Sequence, residues 1–528
     1  MIKKTVIFAG EAGQGIDRTA VIFGKIVASQ GYSVFIYRDY SSLIRGGHNF
    51  SVVTFSDRAV RSHESKADVI IAFDDKSVSE HKESLKKGGV IFSACDVEIE
   101  GGDHAINNAL LGMLAKHFSF SKNIGLGTLK KEFGKKSGEA ERAYNAGYAK
   151  DVPLSEFKSR KVDKPMNLTD GNQTVALGAI DSGARVAFYY PMTPATGVFA
   201  ELEKIKKEKG IIVEQMEDEI AVANATLGAS YAGVPVMTGS SGGGLALMSE
   251  AVSFAGMAEL PIVFYAAQRM GPSTGVPTYT SQGDLKFISN IGPGEFPRLV
   301  LIPGDAEESY KATREAFYFA AKYRLPAFII SDKHIAESYS TYGALKSSLP
   351  TIKPLPISRG KTYKSYAITE SGISPAIAPG GDQIFRATSY EHDEYGYTTE
   401  DKTLIKAMND KRLRKGASLR KELAKFPGVS VYGEGNKQIV FAGSPKGAIT
   451  DALSDLKGYK AIQIHRLAPF PTAELSKVLG KDFYTVENNS TAQLASLIKE
   501  ATGLQAKNSL LRYDGRPFVS GDLIKFFK

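Results

Sequence analysis

Cysteine is almost absent from this sequence, since Cys95 is the single one among 528 residues. One thiol cannot form a disulfide within the chain, and such scarcity is typical of proteins from a reducing, cytoplasmic compartment. One thiol also cannot hold an iron–sulfur cluster, because these clusters are usually bound by about four thiolates. The sequence therefore predicts a chain that has neither disulfides nor an iron–sulfur cluster of its own.

Long apolar runs and a dominant charge are absent as well. No run of about 18 apolar residues occurs, so we predict no membrane span. The N-terminus passes directly into a strand and a glycine-rich loop, without the longer apolar segment of a signal peptide. The 66 basic and 57 acidic residues give a net charge of +9. Nucleic-acid-binding proteins carry a denser basic stripe, so this balance favours acidic ligands or an acidic protein partner instead.

The composition and length that remain are those of a globular protein of about three domains. Short β-rich runs alternate with helical patterns in three parts of the chain, which is typical of α/β domains built on parallel sheets. We therefore expect three α/β domains. The predicted boundaries are 1–165 for the first domain and its polar linker, 166–350 for the second, 351–432 for a connecting segment and 433–528 for the third. Within the first unit, residues 118–172 predict an irregular helix followed by the linker.

The loop GEAGQG (10–15) lies between a predicted strand and a predicted helix, where backbone N–H groups favour an anion. It is not a P-loop, because Ile16 and Asp17 stand where Lys and Ser or Thr are required. Its glycine spacing also differs from the dinucleotide fingerprint, although Asp39 after the second strand could bind a ribose. A tight turn without a ligand is a further alternative. The loop alone therefore leaves a phosphate site, a dinucleotide site and a simple turn open.

Two other short motifs each allow two interpretations. RGGHN (45–49) either completes a phosphate site through the guanidinium of Arg45 or forms a hairpin turn. YEHDEYG (390–396) places His392 among carboxylates, but a metal site needs several convergent ligands and the eight histidines are scattered. We expect no metal site in this chain.

Unusual residues follow four predicted strands of the middle domain. The four segments are PMTPATG (191–197), the acidic run that ends at Glu219, the glycine run GSSGGG (239–244) and QRMGPSTGVPTYTSQGDL (268–285). Ligands of open α/β sheets bind beyond the carboxyl ends of strands, so these loops predict one shared site. Each loop also has a simpler explanation: acids often stabilise a helix start, threonines cap helices, arginines form surface ion pairs and glycines form turns.

These segments resemble the motifs of 2-oxoacid:ferredoxin oxidoreductases, specifically the subunit in which gamma and alpha parts are fused. The family's Y-P-[IM]-T-P loop is similar to Tyr190–Pro194, and its Q-R-x-G-P-S-T-G-x-P-T loop is similar to Gln268–Thr278. GEAGQG and RGGHN resemble the gamma part, and RYDGRPF (512–518) also fits. The resemblance implies a gamma-type domain, a pyrimidine-type domain that binds thiamine diphosphate, and a small domain like the C-terminal domain of transketolase.

Enzymes of this family decarboxylate a 2-oxoacid on thiamine diphosphate, reduce ferredoxin and transfer the acyl group to coenzyme A. The resemblance implies that Glu219 activates the aminopyrimidine of the cofactor, with Glu217 and Asp218 as alternatives. It assigns the substrate carboxylate to Arg269. The remaining implied contacts are Thr193 and Thr278 for substrate, Tyr190, Pro191, Thr193, Glu219 and Gly242 for thiamine diphosphate, and Gly13, Gly15 and Arg45 for coenzyme A.

The chain lacks part of what this chemistry needs. A G-D-G loop followed at the required distance by N-N carries Mg²⁺ and the diphosphate, and neither GGDHAINN (101–108) nor VENN (486–489) provides it. We therefore expect a beta subunit that supplies Mg²⁺, the diphosphate site and a [4Fe–4S] cluster. Ferredoxin or flavodoxin would take the electrons, and the basic stretch 411–425 predicts either a ferredoxin contact or a solvated helix face. The substrate could be pyruvate, 2-oxoglutarate or a broad range of 2-oxoacids.

Two other functions remain open at this stage. The first is a dinucleotide-dependent dehydrogenase that uses the N-terminal glycine loop. The second is a non-catalytic assembly subunit whose site has decayed. The first gives no role to the four loops of the middle domain, and the second is disfavoured because Glu219, Arg269, Thr193 and Thr278 are all present.

Overall fold

The computed structural model describes residues 2–41, 47–157, 166–357, 363–384 and 386–528. Three sheets, of seven, seven and five strands, organise the chain. The three sheets confirm the predicted α/β class. Across the described ranges, no helix is long and apolar enough to cross a membrane.

The N-terminal part forms most of the first sheet. Its elements are β1 Lys3–Glu11, α1 Ile16–Ser29, β2 Ser33–Asp39, β3 His48–Ser56, β4 Ala67–Ala72, α2 Asp75–His81, β5 Leu85–Ser93, α3 Gly102–His117, α4 Lys122–Phe133 and α5 Ser137–Ala149. The expectation of a parallel sheet is wrong here, because β3 pairs antiparallel with both β1 and β2. Too few residues separate β2 from β3 for a crossover helix, so the two strands run in opposite directions.

The region after α3 also differs from the sequence prediction. In place of the irregular helix, α4 and α5 are regular helices that pack on α1 and α3. Residues 158–165 of the predicted linker lie outside the described residues. Leu129 and Tyr144 are fully buried in the core of the first sheet. Gly147 lets α5 approach α3 closely, since a Cβ there would lie 1.8 Å from the carbonyl oxygen of Ala109. Small residues at this contact, rather than an apolar stripe, hold the helix pair together.

The middle part of the chain forms most of the second sheet and adds two strands, β6 and β13, to the first. Its elements are β6 Asn167–Thr169, α6 Gly171–Ser182, β7 Val186–Tyr189, α7 Thr196–Lys209, β8 Ile212–Gln215, α8 Glu219–Tyr231, β9 Val236–Ser240, α9 Gly242–Leu247, α10 Ser249–Met257, β10 Ile262–Gln268, α11 Leu285–Ser289, β11 Leu299–Leu301, α12 Ala306–Tyr323, β12 Pro326–Asp332, α13 Lys333–Glu337 and β13 Tyr339–Tyr342. Strands β8, β7, β9, β10, β12 and β11 lie side by side in that order and run parallel.

The C-terminal part forms the third sheet. Its elements are α14 Lys402–Leu423, β14 Val429–Tyr432, β15 Lys437–Ala442, α15 Lys446–Ala452, β16 Tyr459–Ile464, β17 Arg466–Ala468, α16 Thr472–Leu475, β18 Phe483–Glu487, α17 Gln493–Thr502, β19 Asn508–Leu511 and α18 Ser520–Phe527. The strand order is β14, β16, β15, β18 and β19, with β14 antiparallel to the others.

The sheets exchange strands across the predicted domain boundaries. Strands β6 and β13 complete the first sheet, and β17 extends the second. Strand β13 pairs antiparallel with β2 through Tyr339 and Ser340. Backbone hydrogen bonds therefore join the parts of the chain directly, and the boundaries at 165, 350 and 432 stay predictions.

Helix α14 uses its basic residues inside the protein. Lys411 and Lys415 are buried and pair with Glu259 at 2.5 and 3.1 Å. Arg324 lies 3.8 Å from the same carboxylate. Both interpretations of the basic stretch 411–425 therefore fail at Lys411 and Lys415, whose ammonium groups face neither solvent nor an acidic partner.

Candidate active site

The four loops predicted to share a site meet at one end of the second sheet. Strands β8, β7, β9 and β10 are neighbours and parallel, so the loops that follow them lie at the same edge. Arg269, after β10, donates through Nη1 to the carbonyl oxygen of Thr193, after β7, over 2.9 Å. A Cβ placed on Gly244, after β9, would lie 2.8 Å from Oε1 of Glu219, after β8. These contacts join the loops in two pairs, and the charge of Glu219 acts on Arg269 across them.

Burial distinguishes the three acids before α8. Glu219 is 4% exposed, whereas Glu217 and Asp218 lie at the surface. Asp218 caps the helix, because its carboxylate accepts from the backbone N–H of Ala221 over 2.8 Å. Oε1 of Glu219 is buried and has no hydrogen-bond partner. An unpaired buried carboxylate oxygen is costly, and this one is left able to accept a hydrogen bond.

The glycine run begins helix α9 rather than forming a flexible turn. Gly239 and Ser240 end β9, and Gly242 is the first residue of α9. A Cβ on Gly242 would lie 2.3 Å from Oδ2 of Asp284, so a side chain there would displace the Asp284 carboxylate. The hydroxyls of Ser240 and Ser241 are buried without partners. The two carboxylates of Glu219 and Asp284 thus flank a backbone that lacks side chains.

Arg269 is a partly buried cation without an ion pair. No carboxylate of the described residues lies within ion-pair distance of its guanidinium, so the surface ion pair considered from the sequence is not formed. Burial lowers the pKa of Arg269, and the carboxylates of Asp284 and Glu219 oppose this shift. Burial likewise raises the pKa of Asp284, with Arg269 acting against it. Among the described residues, Arg269 therefore has no ion-pair partner, and the carboxylates of Asp284 and Glu219 act on it electrostatically from beyond ion-pair distance.

Asn172, which the sequence did not single out, holds the loop after β7 in place. Tyr190 and Thr193 are half-buried in it, and Pro191 is exposed. Asn172 of α6 donates to the carbonyl oxygen of Pro194 over 3.1 Å, and the buried hydroxyl of Tyr265 donates to Asn172 Oδ1 over 3.0 Å. The asparagine amide therefore sets the loop against β10.

Thr278 lies in the loop after β10 with its hydroxyl buried and without a partner, so it does not cap a helix. The end of this loop is anchored on the third sheet. Gln282 N–H donates to the carbonyl oxygen of Asn488 over 2.7 Å, and the Gln282 side chain accepts from the Asn488 N–H at 3.1 Å. VENN therefore has an anchoring role in this chain, with Glu487 accepting from the backbone N–H groups of Leu494 and Ala495.

The N-terminal glycine loop forms a turn that a side chain of α3 holds in place. Gly13 and Gly15 have positive φ values of 105° and 78°. Asn107 donates to the carbonyl oxygen of Gln14 over 2.9 Å and would clash with a side chain at Gly15. Asp17 receives hydrogen bonds from other parts of the same sheet. Arg45 lies outside the described residues.

Asp39 is not available to a ribose. It is 4% exposed, and its two oxygens accept from Tyr37 over 2.8 Å and from Tyr279 over 3.2 Å. Arg516 lies 3.2 Å from the same carboxylate. These contacts remove the acid that a dinucleotide site at this loop requires.

His392 is also committed to the fold. It is buried, its ring lies 3.9 Å from that of Tyr366, and its Nδ1 contacts the carbonyl oxygen of Asp393 at 3.0 Å. Within the part of the chain that the structure describes, no group of three or more His, Cys, Asp or Glu residues is arranged to hold a metal.

Comparisons with known proteins match nearly the whole chain. The family described as pyruvate flavodoxin/ferredoxin oxidoreductase, thiamine diphosphate-binding, matches residues 177–410, and pyruvate ferredoxin/flavodoxin oxidoreductase matches 5–104. The 2-oxoacid:ferredoxin oxidoreductase subunit alpha of Sulfolobus sp is 32% identical over 98% of this chain and 95% of its own length. The corresponding subunit of Saccharolobus solfataricus is 33% identical over 98% and 96%.

A solved structure agrees with these relatives. It is 2-oxoglutarate:ferredoxin oxidoreductase from Magnetococcus marinus with 2-oxoglutarate, coenzyme A and succinyl-CoA bound, with a TM-score of 0.90 and 28% identity. The match covers 100% of this chain and 99% of that chain. On this similarity, and with the four loops converging as described, the chain belongs to the 2-oxoacid:ferredoxin oxidoreductases as an alpha-type subunit.

Proposed function

We propose that this chain activates thiamine diphosphate and holds the substrate in an enzyme that converts a 2-oxoacid and coenzyme A to acyl-CoA, CO₂ and reduced ferredoxin. One observation carries the proposal: the buried, unpartnered carboxylate oxygen of Glu219 shares a site with the unpaired guanidinium of Arg269. The family supports the reaction type, and the solved relative that holds 2-oxoglutarate and coenzyme A supports the substrate classes.

The residues of the site fit thiamine diphosphate. An aminopyrimidine ring carries a basic nitrogen that can pair with the free Glu219 oxygen, and the bare backbone at Gly242 leaves room for close approach. Tyr190, Pro191 and Thr193 would complete the contacts from the loop after β7. When bound, this cofactor supplies the carbon nucleophile and electron sink that decarboxylation needs.

The side chains of this chain would then act as follows. Glu219 Oε1 shares a proton with the aminopyrimidine N1′, and burial of the carboxylate strengthens that hydrogen bond. The guanidinium of Arg269 binds the substrate carboxylate, because charge-assisted hydrogen bonds are strong in a partly dry site. The hydroxyls of Thr193 and Thr278 donate to the substrate from opposite loops. Fixed loops hold these groups in one geometry, which lowers the entropic part of the barrier.

A beta subunit would supply what this chain does not. We assign to it Mg²⁺, the diphosphate contacts and a [4Fe–4S] cluster, because Cys95 is the single cysteine here and is exposed. Coenzyme A contacts at Gly13, Gly15 and Arg45 remain part of the proposal, as do ferredoxin or flavodoxin as the electron acceptor and a cytoplasmic location. Pyruvate, 2-oxoglutarate and other 2-oxoacids all fit the chemistry of this half of the site.

The test is turnover by this chain co-expressed with its beta subunit. Reduction of a viologen dye is measured with coenzyme A and a series of 2-oxoacids, for wild type and for Arg269→Ala. We expect activity with at least one 2-oxoacid and a KM about 50-fold higher in the variant, since it loses charge-assisted hydrogen bonds. Arg185→Ala is the matched control, because Arg185 is exposed at the other end of β7. Absence of turnover with every 2-oxoacid, or an unchanged KM in Arg269→Ala, contradicts the proposal.

The rival functions explain the site less well. A dinucleotide-dependent dehydrogenase has no free acid for the ribose, because Asp39 is fully engaged. A decayed assembly subunit would have no reason to keep an unpaired carboxylate buried at Glu219, where an apolar residue would be more stable. Titration calorimetry of thiamine diphosphate against the co-expressed pair separates the proposal from both rivals, since neither of them predicts binding.

A further inference from the structure

Tyr279, in the loop after β10, contacts residues from both other parts of the chain. Its hydroxyl donates to Oδ1 of Asp39, at the end of β2, over 3.2 Å. The guanidinium of Arg516, after β19, lies 3.9 Å from the centre of its ring. Arg516 Nε also lies 3.2 Å from Oδ2 of Asp39. We call these three side chains the Tyr279 joint, and each pair among them is in contact.

Backbone hydrogen bonds also fix the chain around Tyr279. The N–H of Met270 donates to the carbonyl oxygen of Tyr279 over 3.0 Å, and the N–H of Thr280 donates to that of Gly515 over 3.0 Å. Gly515 has φ 79°, and a Cβ there would lie only 3.0 Å from the Cβ of Tyr279. Met270 directly follows Arg269, and Tyr279 directly follows Thr278. A shift of Tyr279 therefore moves both substrate-binding residues together.

The anchor of this joint is a buried carboxylate with several donors. Asp39 is 4% exposed and accepts from Tyr37 as well as from Tyr279. Hydrogen bonds to a buried carboxylate are charge-assisted, and such networks are stronger than isolated pairs. Burial raises the pKa of Tyr279, and the Asp39 carboxylate raises it further, so the phenol stays a neutral donor. The first sheet is thereby tied to one point of the substrate loop.

We propose that the Tyr279 joint is a positioning device that sets Arg269 and Thr278 for the 2-oxoacid and makes their placement depend on how the first sheet is seated. Tyr279, Asp39 and Arg516 act through the loop and do not touch the substrate. A ligand or partner that shifts the first sheet would change 2-oxoacid affinity through this contact. The assignment of Arg269 and Thr278 to substrate rests on the proposed function.

The test uses Tyr279→Phe and Asp39→Asn in the co-expressed complex. Tyr279→Phe keeps the ring against Arg516 and removes only the hydroxyl. We expect the KM for the 2-oxoacid to rise about fivefold, with kcat within about twofold of wild type. The double variant should raise KM by less than the product of the two single effects, since Tyr279 and Asp39 share one hydrogen bond while Asp39 also contacts Tyr37 and Arg516. Tyr310→Phe is the matched control, because it loses a 2.7 Å hydrogen bond to Asp181 on the far helices.

A second measurement does not need catalysis. Amide hydrogen exchange of residues 269–280 should be faster in Tyr279→Phe than in wild type and unchanged in Tyr310→Phe. If wild type turns over no 2-oxoacid, the proposed function fails while hydrogen exchange still decides whether the joint holds the loop. Wild-type KM together with wild-type exchange in Tyr279→Phe overturns the inference, and so do fully additive KM effects in the double variant. If Asp39→Asn does not fold, Tyr279→Phe decides alone.

Discussion

Glu219 and the two acidic residues before it have different environments at the start of α8. The Asp218 carboxylate caps the helix, Glu217 is exposed to solvent, and Glu219 is buried with one oxygen unpaired. A carboxylate that acts on a bound base needs this combination of burial and free hydrogen-bonding capacity. The proposed function gives one ligand to this carboxylate, to the neighbouring cation at Arg269 and to the bare backbone at Gly242.

Replacement of Glu219 by Gln tests this role without changing the size of the side chain. We expect kcat of the co-expressed enzyme to fall by at least about 100-fold, because an amide cannot exchange a proton with the cofactor. Thermal unfolding should be unchanged or slightly higher, since the substitution removes an unpaired buried charge. Glu217→Gln, at an exposed position, is the matched control and should retain wild-type kcat. Near-wild-type kcat in Glu219→Gln would assign the proton transfer to another residue.

The sequence pointed to side chains that the structure brings to one end of the second sheet, but not to the residues that position their loops. Glu219, Arg269, Thr193 and Thr278 follow strands, so the rule for open α/β sheets and the family motifs both point to them. Asn172, Gln282 and Asp284 were missed. Each of these three residues contacts a segment that is distant in sequence: Asn172 contacts Pro194, Gln282 contacts Asn488, and Asp284 lies beside Gly242. A single sequence carries no signal for such contacts.

At the scale of elements, α14 shows why composition misleads about exposure. Six of its residues are buried, and three of those are cationic: Lys411, Arg412 and Lys415. Glu259, at the turn before β10, forms ion pairs with Lys411, Lys415 and Arg324. Burial pushes the pKa of Glu259 up, but Lys415, Lys411 and Arg324 outweigh it and lower the pKa to about 2. Burial lowers the pKa of Lys415 to about 8.

This cluster predicts a pH dependence of stability with a defined sign. A carboxylate with a lowered folded-state pKa stabilises the fold above its unfolded pKa, so the contribution of Glu259 should be lost as pH falls from about 4.5 to about 2. Glu259→Gln should cost about 3–5 kcal/mol near neutral pH, because it leaves three cations buried without their partner. Urea unfolding at several pH values measures both effects.

A surface acid provides the comparison for Glu259. Glu307→Gln breaks an exposed pair with Lys311 and should change the free energy of unfolding by less than about 1 kcal/mol. The cluster does not contribute as described if Glu259→Gln lowers the free energy of unfolding as little as Glu307→Gln does. The same holds if the variant loses as much stability as wild type when the pH falls below 4.5.

Errors in the element predictions have two physical causes. The first sheet was expected to be parallel, but the short β2–β3 connection forces an antiparallel pair. Helices α4 and α5 were missed as regular elements because they bury small residues and aromatic rings rather than a continuous apolar stripe, as at Gly147 and Tyr144. The strands before the four site loops, β7 to β10, were predicted, since buried strands read as short continuous apolar runs, whereas the short strands β11 and β19 were not.

For the whole molecule, the three α/β units could be predicted, but their interlocking could not. Strands β6 and β13 leave the middle part of the chain to complete the first sheet, and β17 leaves the C-terminal part to extend the second. Edge pairing of this kind depends on backbone hydrogen bonds, which any sequence can make, so side-chain patterns do not reveal it. The Tyr279 joint lies at such a meeting point of all three parts.

The surface around the site also indicates how the molecule is completed. Apolar side chains are exposed on the two helices that begin at the site: Ile220 on α8 is 53% exposed and Leu247 on α9 is 56% exposed. Exposed apolar side chains beside a candidate binding site are typical of a protein interface. Since the proposed function places the rest of the cofactor site on a beta subunit, these two residues are expected to lie beneath it.

Substitution of Leu247 by Glu tests this interface. Burying a leucine contributes about 2 kcal/mol, and a charge in its place must also be desolvated, so the complex should dissociate about 30-fold more readily or more. Sedimentation of the purified pair over a concentration series measures that change. Leu413→Glu is the matched control, because Leu413 is 66% exposed on α14, outside the four site loops. Unchanged association in Leu247→Glu, or equal weakening by Leu413→Glu, would place the beta subunit on another face. Weakening confined to Leu247→Glu, with loss of turnover restored at high protein concentration, would show that the cleft is completed by the partner bound there.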